Sequence, residues 1–97
     1  MHYHFEWDPH KAELNIRNHK IGFHRAASVF KDPLMMTIFD DDHSQDEKRW
    51  ITMGHDDHGI ILVISHTFQI VNSDEHVMIR IISARKATKR ERRQYGG

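Results

Sequence analysis

Three arginines have the type and spacing to hold a phosphate. Arg80 interrupts an otherwise apolar run, Val77–Ser83, and Arg85 follows five positions later. An arginine in such a run meets a buried carboxylate, lets its head group reach solvent, or serves a ligand. Its planar guanidinium stays charged and presents a fork of donors that matches phosphate oxygens. Arg49 is the third, and Glu47 two residues before it makes a same-face ion pair the rival reading. Lys86, Lys89, Arg90 and Arg93 continue the basic character, so that residues 85–93 hold six basic side chains against one acid, Glu91. Such a cluster can track a nucleic-acid backbone, bind an acidic protein, or remain a solvated face.

Proton transfer near neutral pH calls for histidine, and the chain has ten. His66 shares a strand face with Ile60, Leu62 and Ile64, where a hydrogen-bonded core histidine is the plain alternative. His19 closes a helix, where the helix-end field acts on it. His2-x-His4 and His55-x-x-His58 have zinc-like spacings. Asp40-Asp41-Asp42-His43 offers the oxygens magnesium prefers. Consecutive acids on an extended chain cannot converge on one ion, and among ten histidines such spacings arise by chance. No metal and no cofactor is assigned.

The elements that must position these groups read as β-α-α-β-β-β-β-α. Met1–Trp7 is a short strand. Asp8-Pro9 starts a helix, with Asp as N-cap and Pro at the first helical position. It runs to about His19, with Ala12 and Ile16 on its apolar face, and Gly22 breaks it. Phe23, Ala26, Ala27 and Phe30 form one helical stripe that Asp32-Pro33 stops. Strands follow at Leu34–Phe39, Arg49–His55, Ile60–Phe68 and Val77–Ser83, separated by an acidic loop from Asp40, a turn at Asp56–Gly59 and a loop signal at Asn72-Ser73-Asp74. Ala84–Tyr95 is rich in helix formers, with Ser83 as its cap and Gly96–Gly97 as its end. Short turns between strands imply antiparallel pairing, so the expected class is α+β. Two N-terminal helices should pack on an antiparallel sheet of four to five strands, with a basic C-terminal helix. In a straight strand Arg80 and Arg85 would stand about 17 Å apart on opposite faces. They can share one phosphate only if the chain bends or turns helical near Ser83.

At 97 residues the chain is one domain, 1–97. Its formal charge is zero, but residues 1–48 carry nine acids against six Lys/Arg and residues 49–97 the reverse bias, eight against five. Local fields therefore matter more than net charge. Cysteine is absent, which excludes disulfides and Cys-based zinc and fits a cytoplasmic setting. No apolar run is long enough to span a bilayer, and no leader segment is visible.

In order along the chain stand Phe5-Glu6-Trp7-Asp8-Pro9, Lys11-Ala12, Asn15, His19, Phe23, Val29-Phe30, Asp32-Pro33, Asp41, His43-Ser44, Glu47, Arg49, Gly54, Arg80-Ile81-Ile82-Ser83-Ala84-Arg85, Ala87-Thr88 and Glu91-Arg92. Together they resemble the BrnT toxins of BrnT/BrnA type II toxin–antitoxin systems. The resemblance implies a compact ribonuclease related in fold to RelE toxins, acting on RNA without a metal. It also implies a DNA-binding antitoxin, a BrnA-like ribbon-helix-helix protein, that neutralises the toxin and carries it to operator DNA. On this reading Arg80 and Arg85 hold the scissile phosphate, Arg49 assists, and His19 and Lys20 are the acid–base candidates. Lys86, Lys89, Arg90 and Arg93 line the RNA path. Tyr95 is a further candidate, because RelE-like enzymes use lysines, arginines and an aromatic hydroxyl. The family's usual Lys-His-Gly after the first helix reads Asn18-His19-Lys20 here. The same residues also fit a non-catalytic nucleic-acid-binding module, or a degenerate toxin that keeps only its antitoxin interface.

Overall fold

The computed structural model describes residues 2–71 and 75–96. Strand β1 (His2–Glu6) leads into helix α1 (Pro9–His19), and the Asp8 carboxylate accepts the His10 N–H at 2.8 Å as the N-cap. Lys20 ends α1 in the left-handed conformation, φ 62°, two residues before the glycine expected to do so. Helix α2 (Phe23–Ser28) tightens into a 3₁₀ turn, Val29–Lys31, ahead of Asp32-Pro33. Then come β2 (Met36–Phe39), a 3₁₀ turn at Asp41–His43, β3 (Trp50–His55), β4 (Ile61–Val71), β5 (His76–Lys86) and the short helix α3 (Lys89–Arg92). The loop read at Asn72-Ser73-Asp74 lies outside the described residues. Among the described residues no helix is long and apolar enough to cross a membrane.

The sheet runs β1-β5-β4-β3-β2. The last four strands form the expected antiparallel meander, but β1 pairs parallel to β5, so the sheet is mixed. A hairpin forces antiparallel pairing, and β1 has none. It is followed by two helices and meets β5 only after the rest of the sheet is complete.

The C-terminal segment also departs from the expected course. The sequence reads as helix from Ala84 with Ser83 as cap, yet β5 continues to Lys86, paired to β4 through Ile64↔Ala84, Val63↔Arg85 and Leu62↔Lys86. Cross-strand hydrogen bonds override the local helix preference. The cap is Thr88. Its hydroxyl accepts the Glu91 N–H at 3.1 Å, and the Glu91 carboxylate accepts the Thr88 N–H at 2.8 Å. This reciprocal box needs Ser/Thr-x-x-Glu/Gln, present in the tail only at residues 88–91.

The β4–β5 register shifts between Ser65↔Ser83 and His66↔Ile81, leaving Ile82 as an extra residue, a β-bulge. Val77, Ile79 and Ile81 face the core before it, and Ala84 faces the core after it. That core joins Ile21, Phe23, Ala26, Val29 and Phe30 to Leu62 and Ile64 of β4. His66 lies inside it, 1 % exposed, with Nε2 2.7 Å from the Thr52 hydroxyl and its ring edge-on to Phe30. Burial holds its imidazole below the ordinary value of 6.5, so it is a neutral core residue. A smaller cluster of Met53, Val63 and Ala87, with Ile51, Ile61 and Tyr95 against it, occupies the other face.

The buried face of α1 departs from expectation. Ile16 is exposed and Asn15 is buried. The Asn15 amide donates to the carbonyls of Ile21 at 2.9 Å and Ala84 at 2.8 Å, and its oxygen accepts the Ala84 N–H at 3.0 Å. It occupies the edge of β5 beyond the reach of β1. Asn15→Ala leaves three buried backbone groups without partners, each costing roughly 1–3 kcal/mol. A loss of at least about 2 kcal/mol in urea unfolding is expected. Asn15→Asp should not restore it, because a carboxylate cannot donate to the two carbonyls.

Candidate functional site

The bulge decides which side chains share the face away from the main core. Arg80 precedes Ile82 and Arg85 follows it, and the extra residue inverts the alternation between them. Both therefore reach the same face through a bend in the strand, the first of the two routes the sequence left open, and not through a helix. Strand β4 adds Val63, Ser65 and Thr67, and the β3 side adds Arg49 and Ile51. A cleft of about 310 Å³ is lined by Asp40, His43, Arg49, Ile51, Val63, Ser65, Ile82, Ser83 and Arg85. A second, about 470 Å³, is lined by Glu6, Glu47, Lys48, Thr67, Phe68, Gln69 and Arg80.

Carboxylates occupy the arginine forks. Glu47 accepts from Arg80 Nη2 with one oxygen, and its other oxygen lies 3.5 Å from Arg49 Nη2. Both rival ion-pair readings are thus realised, through one shared acid. Arg85 pairs with Glu91 by two bonds, 2.8 and 3.0 Å. Arg49 Nε is buried without a partner among the described residues. The β2–β3 connection that carries Glu47 is anchored on Arg49. Its N–H donates to the Ser44 hydroxyl at 3.0 Å and its carbonyl accepts from Asp40 N at 2.9 Å. His43 Nδ1 lies 2.9 Å from the Asp40 carboxylate. A phosphate and a carboxylate offer a guanidinium similar oxygens, so an incoming phosphate can take the place of Glu47 or Glu91.

The tail holding Glu91 is clasped at its far end. The Tyr95 hydroxyl donates to Asp32 and lies 2.8 Å from His55 Nδ1, while Asp32 also accepts the N–H groups of His55 and Leu34. Burial and the bond to Asp32 push the Tyr95 hydroxyl up to about 12. Burial alone would raise the Asp32 carboxyl, but its three donors outweigh that and hold it below 3.8. Gly54 makes room for this carboxylate, since a Cβ there would lie 3.0 Å from Asp32 Oδ2.

The other sequence candidates do not join the arginines. His19 and Lys20 are exposed at the end of α1, outside both clefts. Lys86, Lys89, Arg90 and Arg93 are exposed, and with Lys86 on β5 they form no single helical face. Asp56, Asp57 and His58 each put a ligand atom within 4.8 Å of the others, but Asp56 already accepts from Arg25 and from the N–H groups of His58 and Ile60. The sequence reading missed the double contact of Glu47 and the place of His43 beside Arg49. Only the spacing of Glu47 and Arg49 hinted at the first.

The Arg85 fork, helped by the Thr88 N–H, holds the Glu91 carboxyl at about 2 against an ordinary 4.5. A depressed folded-state value means that its contribution to stability is complete above pH 4.5 and is lost as pH falls toward 2. Glu91→Gln should remove that part of the acid limb in urea midpoints measured across this window, and leave the midpoint near neutrality lower than the parent's.

The family model described as "Ribonuclease toxin, BrnT, of type II toxin-antitoxin system" matches residues 7–91. The 1.1 Å crystal structure of the Brucella abortus ribonuclease toxin BrnT is similar, with a TM-score of 0.61 and 21 % identity over 92 % of this chain and 100 % of that one. At that identity the likeness shows a shared fold. No curated protein matches the sequence. The family model spans all the elements from α1 through β5, and the chain belongs to the BrnT family of ribonuclease toxins of type II toxin–antitoxin systems.

Proposed function

We propose that the chain is an endoribonuclease toxin that cleaves RNA without a metal and so halts translation and growth in the cytoplasm. The observation that carries this reading is the Ile82 bulge, which brings Arg80 and Arg85 to the face that Arg49 also reaches. Arg80 and Arg85 hold the scissile phosphate, with Arg49 assisting. The 2′-hydroxyl attacks the phosphorus, a base removes its proton, and the arginines neutralise the charge that accumulates on the phosphate oxygens. An acid then protonates the 5′-oxygen as it leaves. Glu47 and His43 line the clefts together with the arginines, and we assign them the acid–base roles ahead of His19 and Lys20, which stand outside both clefts. Lys86, Lys89, Arg90 and Arg93 guide the flanking backbone electrostatically.

The partner is a BrnA-like ribbon-helix-helix antitoxin, and operator DNA is reached only through it. Family membership supports an antitoxin. Strand β2 supports its mode of docking, because it ends the sheet and exposes Met36, Ile38 and Phe39. A partner strand could extend such an edge. One observation favours a second reading, a toxin-like fold without activity: Arg80 and Arg85 both have carboxylate partners.

Substitution separates the two. Arg80→Ala should lose on the order of 2–4 kcal/mol of transition-state stabilisation, seen as slower RNA cleavage in the presence of EDTA and loss of growth inhibition. Arg80→Lys should recover little, because a point charge cannot form the bidentate pair. Circular dichroism must show both variants folded. Folded Arg80→Ala and Arg85→Ala proteins that cleave at the parent rate would return both residues to a structural role.

A further inference from the structure

The His2-x-His4 pair acquires a third member in the folded chain. Parallel pairing of β1 with β5 sets His2 opposite His76 and His4 opposite Met78, with all three imidazoles exposed on the face that carries Arg80. The His76 ring lies between the other two, its centroid 5.2 Å from that of His2 and 5.1 Å from that of His4, with interplanar angles of 22° and 25°. His4 Nε2 stands 2.9 Å from His76 Nδ1. That contact at that centroid spacing means the two rings meet edge to edge, nitrogen toward nitrogen.

We propose that His4 and His76 form a binding site for a divalent transition ion of the zinc–nickel–copper class. Two imidazole nitrogens bound to one ion at ~2.0–2.1 Å, at angles near 90–109°, stand about 2.9–3.4 Å apart. The His4–His76 contact lies in that interval before any ion arrives. Opposed rotations of the exposed rings by roughly 45° each turn both lone pairs toward a common point, and the ring torsion of histidine is soft. Water fills the rest of the shell, because the His2 ring nitrogens do not converge with those of both other rings to within 4.8 Å. An all-imidazole set selects zinc, nickel or copper over magnesium and calcium, which require oxygen. The ion would tie the N-terminal edge strand to β5, which it meets only across most of the chain. Binding the folded state alone raises thermal stability in proportion to the logarithm of free ion. The site stands on its own geometry and does not depend on the ribonuclease reading, so Arg80→Ala should bind metal like the parent.

The test uses the untagged full chain, freed of metal with EDTA and dialysed. Titration calorimetry with zinc chloride should find one ion per chain. The melting midpoint should rise with zinc or nickel and not with magnesium. His76→Ala and His4→Ala should each weaken zinc binding by at least ~10-fold, while His58→Ala should not. Zinc X-ray absorption should show two imidazole nitrogens at ~2.0–2.1 Å, a readout that loss of β1 pairing in a variant cannot mimic. No midpoint shift, parent affinity in His76→Ala, equal weakening in His58→Ala, or an oxygen-only shell would each overturn the proposal and leave a simple imidazole hydrogen bond.

Discussion

One extra residue in β5 organises both halves of this molecule. Upstream of Ile82 the strand buries Val77, Ile79 and Ile81 against Phe23, Ala26, Val29 and Phe30, and downstream it buries Ala84 and displays Arg85. Without the bulge, strict alternation from Ile81 would turn Arg85 toward the helices, desolvating an unpaired charge there, and at the same time take Ala84 out of the core. The bulge thus satisfies a packing demand and an electrostatic demand with one local change of register. It also explains why Ile82 and Ser83, adjacent in sequence, both line the cleft that holds Arg85.

The arginine face is balanced rather than bare. Glu47 serves Arg80 and lies near Arg49, and Glu91 serves Arg85. Both acids are supplied from segments outside the central strands: the β2–β3 connection and the capped tail. Each is worth little as a solvent-exposed pair. What they do is keep three like charges on a small sheet from repelling one another. A polyanion offers the same guanidiniums more oxygens than a single carboxylate does.

Local chemistry was legible in the sequence, and non-local pairing was not. Asp8-Pro9 starts α1 because the cap needs only neighbouring residues. The meander was readable because its turns bring consecutive strands together. The direction of β1 could not be read, since its partner lies over seventy residues away and no turn dictates it. The bulge was invisible because a strand with one added residue has the same composition as one without. Ala84–Lys86 misled because helix formers say nothing about an available strand edge. Asn15 stood out only as one of the residues that carry the family resemblance, and nothing in the α1 pattern marks an amide that imitates two backbone groups at once. Of the site, the arginines were legible as out-of-place charges. Their common face was not, because it follows from a register.

The place of the bulge follows from where β1 stops. A bulge in an interior strand must be matched by both neighbours, whereas a strand with one free side can kink alone. The last β1–β5 partners are Glu6 and Arg80, so from Ile81 onward β5 has a strand neighbour only in β4. Ile82 lies just past that point. The open side does not stay open, because the Asn15 amide closes it at Ala84. A five-residue β1, the bulge and the helix-borne asparagine are therefore one device: a strand edge that is paired, released for a single kink, and capped again. Arg80 sits on the paired part and Arg85 beyond the cap. Their mutual orientation thus depends on how far β1 extends and on how α1 docks. The N-terminal third of the chain carries none of the three arginines, yet it sets where two of them point.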